Sequence, residues 1–269
     1  MNPVFEIIPQ NFDPQFTNLY CEISEDALTY FYQNDQDKMI SGLSLYELPD
    51  KFSNPDFTIK DILDEKQVLR KNYNKVFISY SFPEFALVPY SLFSESEKSG
   101  IMETLFGSGT DKMNLSDNLA DLEIHNYYSI PLFIHYYIIS HFPLAKFNHE
   151  ISYILRNDHP EESILKIIFH QRKMVCILWI NGKLTLANTF YFVAAEDVIY
   201  HLLNILKQFD LKVDTKLLIA GMIDLDSALG TEISKYFNNV NYTTHAAFLD
   251  PNLEHFPAHY FSHLFSLAE

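Results

Sequence analysis

One order of elements is written twice in this chain, and that repetition limits the available folds more than any other feature. NLYCEIS (18–24), ALTYFYQ (27–33) and KMISGLSLYEL (38–48) read as three strands with short polar turns between them. β-Branched and aromatic residues bounded by polar punctuation carry that reading. FTIKDILDEKQVLRKNY (57–73) then places Ile59, Ile62, Leu63 and Leu69 at helical spacing, and KVFISYS (75–81) follows as a buried strand. The second half runs in the same order. ILKIIFH (164–170), MVCILWI (174–180) and KLTLANTFYF (183–192) are strands, AAEDVIYHLLNILKQFDL (194–211) is an amphipathic helix, and KLLIAG (216–221) is a buried strand.

MVCILWI is apolar on both faces and is expected to be central. Asn181-Gly182 suits a type I′ turn, whose two central residues need positive φ. Each half therefore predicts an antiparallel three-strand meander extended by a parallel strand through a helical crossover. Beyond the second repeat, DLDSALGTEISKYF (224–237) reads as a helix with Asp224 as its N-cap, and NVNYTTH as an edge strand. Between the halves lie a strand near 119–127, a helix near 131–142 and the ambiguous KFNHEISYILRN. RNDHPEES marks the boundary, dividing the chain into 1–155 and 156–269.

Composition narrows the function classes. Nineteen Lys and Arg against 35 Asp and Glu give a net charge of −16, which repels phosphate backbones and anionic lipid, so general nucleic-acid binding is excluded. Cys21 and Cys176 are the two cysteines, too few for a disulfide framework or a cysteine metal site, and a reducing cytoplasm is expected. The start MNPVFEIIPQNF lacks the basic and apolar regions of a signal peptide. YYSIPLFIHYYIISHFPLA (127–145) has no Asp, Glu, Lys or Arg, but it contains His135, His141, Pro131 and Pro143. A buried core helix explains those letters, and no membrane span is expected.

The doubled order resembles the actin-like ATPase fold shared by actin, sugar kinases and heat-shock chaperones, including its pilus-assembly and cell-division members. More narrowly, the chain is similar to an uncharacterised bacterial family of short actin-like proteins. FALVPYSLF (85–93), HFPLAKFNHEISYIL (141–155) and NGKLTLANTFYF (181–192) carry that likeness. It implies an α/β chain of two ribonuclease-H-like domains facing each other across a cleft. Each domain would be a mixed sheet of a three-strand antiparallel meander plus parallel strands, with helices. It also implies where a nucleotide would sit. Two glycine-bearing hairpin turns grip the phosphates, and a later glycine pair approaches the adenosine; glycine lets main-chain N–H groups close on phosphate.

The corresponding positions here are Ser24-Glu25-Asp26, His170-Gln171-Arg172-Lys173, and Gly221 with Asp224 after it. Neither turn contains glycine, and Gly221 is followed by Met222. The expectation is a non-catalytic binding or scaffold module with a protein partner and no cofactor. ATP with magnesium enters only under the alternative of a divergent ATPase or kinase that uses Glu25, Asp26, Arg172 and Asp224. Arg172 and Lys173 carry charge that attracts anions, but a solvated hairpin tip is the plainer reading.

Three other motifs bear on possible chemistry. FGSGTDK (106–112) lacks the four-residue glycine spacing of a Walker loop and reads as a mobile loop. Asp224 and Asp226 suit either magnesium or a helix start. His255, His259 and His263 stand four apart, but Pro257 leaves only His259 and His263 on one helical face. That weak pair suits zinc or nickel less than a terminal helix docking through Phe256, Tyr260, Phe261, Leu264 and Phe265.

Overall fold

The computed structural model describes residues 2–9, 12–48, 55–92, 96–224, 226–245 and 247–268, with only the backbone of Pro55, Asp56 and Phe57. Phe93, the last residue of FALVPYSLF, and Leu225, between the two aspartates, lie outside the described residues. The chain divides into two units. The first comprises 1–157, 247–253 and 268; the second comprises 158–246, 254–267 and 269.

The first unit begins with β1 (Phe5–Ile7) and the meander β2 (Thr17–Ser24), β3 (Ala27–Asn34) and β4 (Ile40–Glu47). Helix α1 (Pro55–Glu65) crosses over to β5 (Lys75–Ser81), which pairs parallel to β2, with Leu19 opposite Val76 and Ser24 opposite Ser81. β6 (Phe85–Pro89), α2 (Lys98–Phe106), β7 (Lys112–Leu119) and β8 (Ile124–Pro131) follow, then α3 (Leu132–His141), β9 (Lys146–His149) and α4 (Glu150–Asn157). The main sheet has the order β1-β4-β3-β2-β5-β9, and β6-β8-β7 forms a separate antiparallel sheet.

Aromatic residues are frequent here because they tile the main sheet. The Tyr20 ring stacks on Phe31 of β3 at 4.8 Å and on Phe77 of β5 at 4.7 Å. These are cross-strand neighbours in register, the pairs that stabilise a sheet. The Tyr20 hydroxyl donates to Gln33 Oε1 at 3.2 Å, so the buried ring has its polar partner. The charge-free stretch at 127–145 splits between β8 and α3, and α3 buries Ile134, His135 and Ile138. Among the described residues no helix is long and apolar enough to cross a membrane.

In the second unit β10 (Ile164–Phe169), β11 (Lys173–Ile180) and β12 (Lys183–Tyr191) form the second meander. Helix α5 (Ala195–Gln208) returns the chain to β13 (Lys216–Gly221), which pairs parallel to β10 from Ile164–Lys216 to Phe169–Gly221. Helix α6 (Ala228–Tyr236) leads to β14 (Val240–Tyr242), and α7 (Ser262–Phe265) ends the set. The sheet order is β12-β11-β10-β13-β14, so β10 is the middle strand and β11, expected to be central, lies one place from the edge. Asn181 and Gly182 have φ of 49° and 76°, the signs a type I′ turn demands. The core gathers Leu165, Ile167, Cys176, Leu178, Leu202 and Leu217, all fully buried.

Three elements differ from the sequence reading, the first being the strand expected near 119–127, which is β8 at Ile124–Pro131 after a 3-10 turn at Ala120–Leu122. FGSGTDK is not one loop: Gly107 ends α2, its N–H donating to Glu103 O, and Lys112 opens β7. Helix α6 begins at Ala228 rather than Asp224. Ser227 is its N-cap, accepting from the Gly230 N–H at 3.0 Å, because its hydroxyl stands one turn closer to the unsatisfied amides.

Candidate functional site

The first turn joins β2 to β3 and is closed by its own serine. Ser24 Oγ accepts the Ala27 N–H at 2.8 Å and the Asp26 N–H at 3.3 Å, and donates to Asp26 Oδ1 at 2.6 Å. The Asp26 carbonyl accepts the Leu48 N–H at 2.8 Å. Asp26 is buried, and its Oδ2 has no hydrogen-bond partner among the described residues. A buried amide bonded to a side chain is not available to a ligand without breaking that bond. No residue of the turn has positive φ. The alternation of right- and left-handed residues that makes consecutive N–H groups converge on an anion is therefore absent here.

A cavity of about 300 Å³ lies beside this turn. Its walls include Ser24, Glu25, Phe82, Glu84, Asp111 and Lys112. Lys112 pairs with Glu84, so the net charge of the lining comes from the carboxylates of Glu25 and Asp111.

The second turn, between β10 and β11, closes with the His170 N–H donating to Lys173 O at 2.9 Å. None of its residues has positive φ either. The solvated charged tip expected there is corrected at one residue. Gln171 is exposed and Arg172 half-buried, but Lys173 is 1% exposed. Lys173 opens β11 and forms the end pair of the β11–β12 ladder, opposite Tyr191.

Gly221 ends β13 with φ of 97°. A Cβ there would lie 2.1 Å from the Phe169 carbonyl oxygen on the neighbouring strand, so packing alone requires glycine. Asp224 follows it and accepts the Tyr260 hydroxyl at 2.5 Å. Burial, reinforced by that carboxylate, pushes the Tyr260 phenol up to about 12.

The terminal histidines have separate tasks. His259 is buried, its Nε2–H donates to the Ile223 carbonyl at 2.7 Å, and its ring stacks on Tyr242 at 3.8 Å. The His263 ring meets His170 edge-on at 5.5 Å, and His255 is exposed. Phe261, Leu264 and Phe265 are buried as a docking segment requires, although α7 is one short turn.

Sequence reasoning missed a buried polar group in the first unit. Asp117 accepts the Tyr128 hydroxyl at 3.1 Å and the His149 N–H at 2.7 Å. His149 Nε2 donates to Phe82 O at 2.8 Å while its Nδ1 accepts the Ile151 N–H at 3.2 Å, an arrangement that fixes a neutral tautomer. Ser81 donates to Glu150 at 2.5 Å. Burial and the Asp117 carboxylate raise the Tyr128 phenol. Apart from His149 and Ile151, these partners are 11 to 69 residues apart, so no local motif announces them.

Comparison with solved structures identifies the architecture. A Bacteroides thetaiotaomicron protein with an actin-like ATPase fold and unknown function is similar at 18% identity and a TM-score of 0.79, over 95% of this chain and 96% of that one. The PilM–PilN type IV pilus biogenesis complex supplies a second neighbour at 10% identity and a TM-score of 0.61, over 93% of this chain and 97% of that one. At those identities the likeness shows the fold, which is the two-domain actin-like ATPase fold. No curated protein matches the chain. The family model described as protein of unknown function (DUF3822) matches residues 9–240, and the chain belongs to that family.

Proposed function

We propose that this chain is a non-catalytic binding module on an actin-like ATPase scaffold, holding a protein partner rather than turning over nucleotide. One observation carries the reading. The two amides that would face a phosphate in the first turn already donate to Ser24 Oγ, at 2.8 and 3.3 Å. The second turn, His170-Gln171-Arg172-Lys173, lacks glycine and positive φ, which supports the same reading. With Glu84 paired to Lys112, the carboxylates of Glu25 and Asp111 leave the neighbouring cavity, which Glu84 also lines, net negative, and this disfavours a bare polyphosphate. One structural neighbour was solved as a protein assembly, the PilM–PilN complex, and this favours a protein partner. The buried, unpaired thiols of Cys21 and Cys176 suit a reducing compartment such as the cytoplasm.

A second reading draws on those same three carboxylates, which have the chemistry to hold magnesium beside a nucleotide. Thermal unfolding in 1 mM ATP, with and without magnesium, separates the two. The binding-module reading expects an unchanged midpoint. A site with a Kd of about 10 μM would stabilise by about 2.7 kcal/mol under those conditions, and a magnesium-dependent rise of that size would refute it.

A further inference from the structure

The first unit has a groove of about 430 Å³ at the end of its main sheet opposite the Ser24 turn. Lys75 opens β5 and Lys146 opens β9, two neighbouring parallel strands, so both ammonium groups stand at the same sheet end. Lys71, just before β5, joins them on the rim, and so does His141 at the end of α3. The floor is apolar, made by Leu69, Tyr73, Val76 and Phe142. Leu144 stands at the lip, 94% exposed.

The charge of this groove runs against that of the chain. Acidic residues outnumber basic ones by 35 to 19, yet among the described residues no Asp or Glu lines it. The lysines are held over aromatic rings: Lys71 Nζ is 4.2 Å from the Phe12 centroid and Lys146 Nζ is 5.6 Å from that of Phe77. Lys75 has Asp35 at 3.9 Å, but that carboxylate is already engaged by Lys38 at 2.9 Å. A cation on a ring face remains able to accept an anion above it. An apolar floor inside a charged rim is the anatomy of a peptide-binding surface, where an anchor side chain fills the centre and polar groups set its orientation.

We infer that this groove docks an acidic peptide segment of a partner protein, seating an apolar side chain against Tyr73 and Phe142 and its carboxylates on Lys71, Lys75 and Lys146. The inference rests on the binding-module reading above and gives that partner its chemistry. Steering by a local positive patch on a negative body also explains how an acidic partner would find this end of the sheet rather than the rest of the surface.

Fluorescence anisotropy with a fluorescein-labelled peptide alternating Glu pairs with Leu tests it on the full chain at low ionic strength. The wild type is expected to bind at micromolar Kd. The triple variant Lys71→Glu, Lys75→Glu, Lys146→Glu should weaken binding by about tenfold or more. A control reversing the exposed Lys183 and Lys212 should not. Leu144→Asp, at a side chain too exposed to unfold the chain, should cost about fivefold. Unchanged affinity in both groove variants would overturn the inference. So would heparin or poly-uridylate binding more tightly than the peptide, which would mark a general polyanion site. A dimer in sedimentation velocity that the triple variant dissociates would make a second copy the occupant and overturn it too. Millimolar ATP with magnesium in the same titration keeps the two readings distinct. A nucleotide-raised melting temperature with peptide still bound removes the nucleotide-free reading and leaves the groove standing.

Discussion

Replacing Gly221 with alanine probes whether strand packing alone demands glycine at the end of β13. The new Cβ would sit 2.1 Å from Phe169 O and 2.9 Å from Phe169 C and N, all backbone atoms of the paired strand. No rotamer can relieve a clash with backbone, so β10 and β13 must separate locally. Overpacking of this kind costs about 1–3 kcal/mol. The φ of 97° adds strain for any L side chain, about 1–3 kcal/mol more. Lower chain entropy in the unfolded state returns about 0.4–1 kcal/mol. The net loss is therefore about 1–5.5 kcal/mol, a large part of the roughly 5–15 kcal/mol that holds a typical domain together.

Trp179 makes the assay local. It is the sole tryptophan, it is buried in β11, and its fluorescence reports the second unit. With an m-value of about 2 kcal/mol/M in urea, the fluorescence midpoint should fall by about 0.5–2.8 M. Gly100→Ala in α2 is the matched control, because a Cβ there meets nothing within 4 Å. It should leave the Trp179 transition in place and gain about 0.5–1 kcal/mol for the first unit from better helix propensity. A Gly221→Ala midpoint within about 0.3 M of wild type would show that the strands yield cheaply, and the steric reasoning would be wrong.

Other substitutions and conditions read the remaining features. Ser24→Ala removes the acceptor of two turn amides and should cost about 1–2 kcal/mol of first-unit stability by urea unfolding followed by circular dichroism; no loss would mean that water replaces the hydroxyl freely. Burial lowers the pKa of His135, whose Nδ1 meets the Tyr80 hydroxyl at 3.0 Å. The unfolded chain then binds the proton first, so His135 contributes fully above about pH 6.5 and its contribution falls as the pH drops below that value. His135→Gln should flatten that part of the stability–pH curve, and an identical slope in both proteins would exclude His135 as its source. Burial also raises both thiols, Cys21 and Cys176, well above the usual thiol range. Ellman's reagent should label neither in the native state and both at the rate of unfolding.

The β2-β3-β4 and β10-β11-β12 meanders and the crossovers through α1 and α5 were legible because each strand is rich in β-branched and aromatic residues between short polar turns and each helix keeps its 3.6-residue stripe. The Asn181-Gly182 turn was legible because few residue pairs tolerate two positive φ values. β7 was not legible. Five of the eight residues of KMNLSDNL are polar, only Asp117 and Leu119 in it are buried, and its place is set by β8 beside it. Helix α6 was seen, but its start was misassigned because Asp224 and Ser227 are both N-cap residues and only the local chain path chooses between them.

The residues of the two turns could be read directly, and so could their lack of glycine. That Ser24 spends its hydroxyl on the turn's own amides, and that Lys173 is buried, could not, because each depends on side-chain geometry. By itself the sequence determined the doubled order, the acidic balance and the missing glycines, since these are properties of neighbours along the chain. Tertiary structure alone decided which carboxylates meet at Asp111 and Glu84, which histidine meets which carbonyl, and that Lys71, Lys75 and Lys146 share one groove. Those groups are brought together by strand order, and Coulomb and hydrogen-bond energies depend on distance in space rather than along the chain.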